Sequence, residues 1–183
     1  MDRQLRKIIK KCLQNDRKAQ FDLYHCCFEQ LLGICLRYKR NREDAVALLN
    51  DGFLKILLAL NQFDFEREFS PWAATIMVRT AIDDFRAHKS YAEKVEHREQ
   101  DWQIEEVALS EKHEEVLDDL AWQDLQKMIF SLPEEERMVF NLFEWEGYSH
   151  REIAGKLEVS ERSSKRYLAS AKQNLRKMIE QQS

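Results

Sequence analysis

Apolar residues recur at helical spacing along most of this chain, and no stretch shows the strict alternation of a half-buried strand. Leu5 to Leu13 reads as a short basic helix. Asp16 is placed to cap a longer one, running to about Tyr38 with Phe21, Tyr24, Phe28, Leu31, Leu32 and Cys35 inward. Asn41 and Asp44 open the next, whose apolar positions are Ala45, Leu48, Leu49, Phe53, Ile56, Leu57 and Leu60. The run N-Q-F-D-F-E-R-E-F, Asn61 to Phe69, reads as a loop. Ser70-Pro71 pairs an N-cap with a proline at the first helical position. That helix carries Trp72, Ala73, Ile76, Met77, Thr80, Ala81 and Phe85 to about His88. From Ser90 to about Glu111 the period fades and acids accumulate, so this segment reads as linker, helical at most in part. The period returns with Val116, Leu117, Leu120, Leu125, Met128, Ile129 and Leu132. Pro133 ends that helix and opens another, packed by Val139, Phe140, Leu142, Phe143 and Trp145. Trp72 and Trp122 read as packing residues too.

The stretch from Tyr148 to Met178 says more. Ser149 followed by Glu152 is a capping box, and Ile153, Ala154 and Leu157 form an apolar stripe behind it. Glu158-Val159 leaves room only for a tight turn before Ser160, a second N-cap. The next helix buries Leu168, Ala171, Leu175, Met178 and Ile179. Its outer face carries Arg162, Lys165, Arg166, Lys172, Arg176 and Lys177, opposed only by Glu161. Two helices joined by a tight turn, the second with a basic face, are the helix-turn-helix arrangement that enters a DNA major groove.

Composition narrows the function. The chain has 183 residues, 44% hydrophobic and 34% charged, with 4 Gly and 2 Pro, which favours long helices over tight turns. A net charge of −4 means that any nucleic-acid contact comes from local patches, such as the basic start Met1 to Lys18. The middle, Glu93 to Asp119, is acidic. Cys12, Cys26, Cys27 and Cys35 have no zinc-ligand spacing and read as reduced thiols packed in helices of a cytoplasmic protein. The charged start is unlike a signal peptide, and the longest apolar run, Ile56 to Leu60, is too short for membrane insertion. No glycine-rich phosphate loop, H-E-x-x-H or nucleophile elbow is present, and the five histidines are scattered. No enzyme, cofactor or metal site is expected.

Two blocks carry a family resemblance. The carboxy-terminal block S-L-P-E-E-E-R-M-V-F-N-L-F-E-W-E-G-Y-S-H-R-E-I-A resembles domain 4 of bacterial RNA polymerase sigma factors. The block N-R-E-D-A-V-A-L-L-N-D-G-F-L-K-I resembles sigma region 2, and F-S-P-W-A-A-T-I-M-V-R-T-A-I-D-D-F-R resembles the helix after it. Two such blocks with an acidic linker and no domain 3 are similar to the extracytoplasmic-function (ECF) group. The likeness implies an all-α protein of two small helical domains: residues 1–89 as a domain 2 that docks on core RNA polymerase and serves the −10 element, 90–110 as acidic linker, and 111–183 as a domain 4 that reads the −35 element. It implies transcription initiation, with core polymerase and promoter DNA as partners.

Residue by residue, the resemblance places core docking on Asp44, Asn50, Asp51 and Lys55, and −10 contacts on Phe63, Phe65, Arg79 and Arg86. In the recognition helix it combines with the basic face to give Arg162, Ser163, Ser164, Lys165, Arg166 and Lys172. Phe63 and Phe65 either stack on a flipped base or close the base of the domain; Phe69 is assigned to packing. Val46 and Ala47 stand where the family carries an acidic pair, which implies a shifted or weaker dock. Arg79 replaces an asparagine, which favours a phosphate grip over base reading. Glu158 replaces the usual glycine. Two alternatives follow: a sigma-like protein that reads promoters weakly and depends on a separate DNA-targeting partner, and a stand-alone helix-turn-helix regulator, which has no need of the Asn41 to Lys89 pattern. An anti-sigma or DNA-targeting partner is a further expectation.

Overall fold

A computed structural model describes residues 2–95 and 120–182. Among them every regular element is helical. The helices are α1 (Arg3–Cys12), α2 (Arg17–Tyr38), α3 (Arg42–Ala59), α4 (Phe69–Val95), α5 (Leu120–Ser131), α6 (Glu134–Phe140), α7 (His150–Leu157) and α8 (Glu161–Gln182). A 3-10 turn, Leu60–Gln62, follows α3, and a π-helical turn, Asn141–Trp145, follows α6. The linker expected beyond residue 95, and the Val116 and Leu117 positions, lie outside the described residues, as does the side chain of Trp122. The chain forms two compact units, Met1–Asp84 and Phe85–Ser183.

In the first unit the expected caps set the helix starts. Asp16 accepts the Ala19 N–H at 3.0 Å, and Asn41 accepts the Asp44 N–H at 2.7 Å. Ile9, Leu23, Leu31, Leu32, Leu49, Ile56, Leu60, Phe69 and Met77 are fully buried, each such side chain contributing about 1.5–3 kcal/mol relative to exposure. Helices α3 and α4 approach closely at Gly52, where a Cβ would run into the Met77 thioether. The Tyr24 hydroxyl donates to Asn50 at 2.9 Å, tying α2 to α3.

In the second unit Met128 and Ile129 of α5, with Leu132 just past its end, pack on Ala171 and Leu175 of α8. The buried Arg137 guanidinium donates to the Phe130 and Leu132 carbonyls at 3.0 and 3.5 Å, satisfying acceptors at the end of α5. Glu136 accepts from Ser170 at 2.7 Å and Asn174 at 2.9 Å, joining α6 to α8.

Several expectations need correction. Phe21 is 63% exposed, because the buried face of α2 runs through Leu23, Cys27, Leu31, Ile34 and Tyr38; its ring lies edge-on to His25. Trp145 and Ile179 are 42% and 49% exposed, not core. Cys26 is exposed, while Cys12, Cys27 and Cys35 are buried. Helix α4 starts at Phe69, so Ser70-Pro71 lies inside its first turn, where the missing proline N–H is not needed. The same helix runs on to Val95 rather than ending near His88.

Candidate nucleic-acid interface

The capping box at the start of α7 is complete. Ser149 accepts the Glu152 N–H at 3.3 Å, and the Ser149 N–H and hydroxyl donate to the Glu152 carboxylate at 2.9 and 2.7 Å. These bonds hold the Glu152 carboxyl below its ordinary pKa range. Helix α7 ends on Glu158 in the left-handed conformation, φ 55°. Ser160 then accepts the Ser163 N–H at 2.9 Å and opens α8.

Ile153 and Leu157 of α7, with Leu168, Ala171 and Leu175 of α8, are buried. This fixes which face of α8 turns outward. Arg162, Lys165 and Arg166 are exposed on it, and Arg166 lies 5.2 Å from the Tyr167 ring. Lys165 pairs with Glu161 at 2.8 Å, which lowers the Glu161 pKa. Lys172 pairs with Glu144 at 2.7 Å and lies 5.8 Å from the Phe143 ring. Ser163 is half-buried, its hydroxyl 2.8 Å from that of Ser160. Ser164 is the clear correction. It is 0% exposed, with its hydroxyl 2.9 Å from His150 Nδ1, so it holds α8 against α7 and cannot reach a groove. The His150 ring stacks on Phe143 at 4.7 Å. Ala169 and Gln173, which the charge pattern passes over, share the exposed stripe with Arg162, Arg166 and Arg176; the 3.6-residue period would have found them.

In the first unit the aromatic loop closes on itself. Phe63 is 5% exposed, its ring 5.4 Å from Phe65, 5.5 Å from Phe69 and 5.0 Å from Trp72. Phe63 is therefore packed, and its assignment to a captured base is corrected. Phe65 is half-exposed, with the Arg6 and Lys10 cations 5.6 and 6.0 Å from its ring centre. Arg79 is exposed on α4. Arg86 falls in the second unit, its guanidinium 2.9 Å from the Gly155 carbonyl and 3.6 Å from the Glu158 carboxylate.

The docking candidates share the outer face of α3. Asp44, Asn50, Asp51 and Lys55 are exposed. Asp44 accepts from Asn41 at 2.9 Å, and Lys55 pairs with Asp83 at 3.0 Å. Between them lie Leu54 and Leu58, 57% and 72% exposed, which the sequence pattern alone did not single out. At roughly 100° per residue they fall between Asn50 and Lys55 on one face.

Residues 23–91 match the family model for sigma-70 region 2, and residues 122–175 match that for sigma-70 region 4. The chain belongs to the sigma-70 family. The RNA polymerase sigma-H factor of Pseudomonas aeruginosa is 26% identical over 156 residues, covering 81% of this chain and 79% of that protein. The ECF RNA polymerase sigma factor SigW of Bacillus subtilis is 26% identical over 89 residues, 49% of this chain and 48% of the relative. A sigma factor RpoE from Bartonella quintana, solved with the anti-sigma factor NepR, superposes with a TM-score of 0.53 at 18% identity, over 86% of this chain and 94% of that one, and shares the fold. This sigma factor, of the ECF group, is a transcription initiation factor and not an enzyme; it binds core RNA polymerase and directs it to promoter DNA. Among the described residues no helix is long and apolar enough to cross a membrane.

Proposed function

We propose that the work is divided along the chain. Residues 1–89 dock on core polymerase and serve the −10 element, 90–110 link, and 111–183 read the −35 element, in the cytoplasm. The observation that carries the reading is the outward face of α8. Arg162, Lys165 and Arg166 are exposed there, while the buried Ser164 and its contact with His150 fix the angle at which they are presented. Arg162 or Arg166 reads a base edge, since arginine pairs with guanine through two hydrogen bonds, and Lys165 anchors phosphate. Lys172 must first leave Glu144 to do the same. Arg79 grips phosphate, and the half-exposed Phe65 is the remaining aromatic for an unpaired base.

Docking uses Asp44, Asn50, Asp51 and Lys55 around Leu54 and Leu58. Exposed leucines ringed by polar groups suit a protein partner. They compensate for the uncharged Val46 and Ala47, and an anti-sigma partner would compete with core for the same face. Pull-down with core polymerase, with and without promoter DNA, tests the reading. The wild type is expected to bind core in both cases. Asp51→Arg is expected to lose core affinity while keeping its thermal midpoint. Unchanged affinity would remove this face from the dock. Binding to DNA without core would favour the stand-alone regulator. Binding to core without gain of promoter selectivity would favour the partner-dependent reading.

A further inference from the structure

Helix α1 precedes the part of the chain matched by the region 2 family model, which begins at residue 23. Arg3, Arg6, Lys7, Lys10 and Lys11 are all exposed on it, and it contains no acid. At roughly 100° per residue these cations fall within an arc of about 140°. Opposite them Ile9 is 0% and Cys12 4% exposed, and Leu5 and Ile8 are half-buried. Arg6 reaches Glu66 at 3.5 Å in an exposed pair, an arrangement of little strength. Arg3, Lys7 and Lys11 have no carboxylate partner among the described residues. Beside this face stands Phe65, half-exposed, with Arg6 and Lys10 close to its ring.

An amphipathic basic helix can also lie on a membrane, but that requires a free apolar face. Here the apolar face is consumed by the first unit's core. The cationic face is what remains, and its aromatic neighbour is what single-stranded nucleic acid requires: a basic track for the backbone next to a ring on which a base can stack. We infer that the outer face of α1 is a phosphate-binding track for single-stranded DNA passing Phe65. The inference rests on the proposed role of residues 1–89 in promoter contact. It assigns the grip to Arg3, Lys7, Lys10 and Lys11, and it carries no sequence preference, since phosphates position without specifying.

The test uses the full chain bound to core polymerase and a forked promoter DNA with a fluorescent single-stranded non-template tail. Affinity is measured between about 50 and 200 mM salt, the range over which counterion release is read. The triple variant Lys7→Ala/Lys10→Ala/Lys11→Ala is expected to flatten the slope of log affinity against log salt by about 2, because each single-strand phosphate contact contributes about 0.7. The loss should be equal for matched and scrambled tails. The matching Lys→Arg triple variant should keep the wild-type slope, and core affinity without DNA should be unchanged in both. An unaltered slope in the folded alanine variant would overturn the inference while leaving the wild-type promoter complex, and with it the proposed function, intact. Loss of core affinity without DNA would overturn it in favour of an acidic protein surface as the occupant of α1. If wild-type holoenzyme bound the fork no better than core alone, the promoter reading and this inference would fall together.

Discussion

Glu158 occupies a backbone state that costs an L-residue roughly 1–2 kcal/mol, because its Cβ crowds the following carbonyl. Its Val159 neighbour donates to the Ala154 carbonyl at 3.1 Å, so the turn between α7 and α8 depends on that state. Glycine removes the Cβ but loses more freedom on folding, which offsets about 0.5–1 kcal/mol. Glu158→Gly is therefore expected to stabilise the protein by about 0.5–1 kcal/mol in urea unfolding; a lower midpoint would show that Glu158 is held there by something stronger than its conformational strain. The thiols give a second residue-scale expectation. Burial pushes Cys12 and Cys27 up to about 11 and Cys35 up to about 12. In native protein near pH 8 these stay neutral and enclosed, whereas Cys26 is exposed. Mass spectrometry after brief alkylation should find one adduct, on Cys26, and four only after unfolding. The sign for stability follows: a folded pKa above the unfolded one means that the folded state resists ionisation. These thiols therefore cost no stability below the ordinary thiol pKa of 9.0 and progressively reduce it as pH rises from there towards 11.

Helix starts are decided by a few polar atoms, and those of α2, α3, α7 and α8 were legible because Asp16, Asn41, Ser149 and Ser160 sit where only an N-cap makes sense of them. Ser149→Ala is expected to cost about 1 kcal/mol and to weaken promoter binding, because α7 supports the recognition helix. The Glu152 carboxyl is held below its ordinary range by Ser149, so its contribution is present above the unfolded carboxyl pKa and fades as pH falls through the folded value. A melting series below pH 5 should show the gap between wild type and Ser149→Ala narrowing without closing, because the Ser149 hydroxyl still accepts the Glu152 N–H; a gap independent of pH would mean that the hydroxyl–carboxylate bond is not formed in solution. The start of α4 was less legible. Ser-Pro is a strong local signal, but Phe69 is 1% exposed and packs on Phe63 and Trp72, and that burial draws the helix back to include it. Phe21, Trp145 and Ile179 were misread for a related reason. Hydrophobic identity says what a residue tolerates, whereas its side of the helix is set by neighbours such as Leu23 and Cys27, which periodicity weighs only equally.

On the scale of the whole molecule, a net charge of −4 coexists with cationic faces on α1 and α8, so DNA selectivity depends on which of those cations read bases. The sequence located the basic helix correctly, but it could not separate Ser164 from its neighbours, because a serine suits a groove, a cap or a buried contact equally. Only the packing of α8 on α7, with His150 against Ser164, decides that. Once Ser164 is set aside, Arg162 and Arg166 stand on the exposed stripe and Lys165 at its edge beside Glu161. In holoenzyme, Arg162→Ala or Arg166→Ala should cost about 1–3 kcal/mol on the matched upstream element and relax preference at one base pair. Lys165→Ala should weaken matched and mutated elements alike and flatten the salt slope by about 0.9. Binding to matched and singly mutated −35 elements at two salt concentrations separates the two patterns. If all three variants lose affinity equally on every element, α8 grips the backbone without reading it, and promoter choice must then be supplied by a separate DNA-targeting partner.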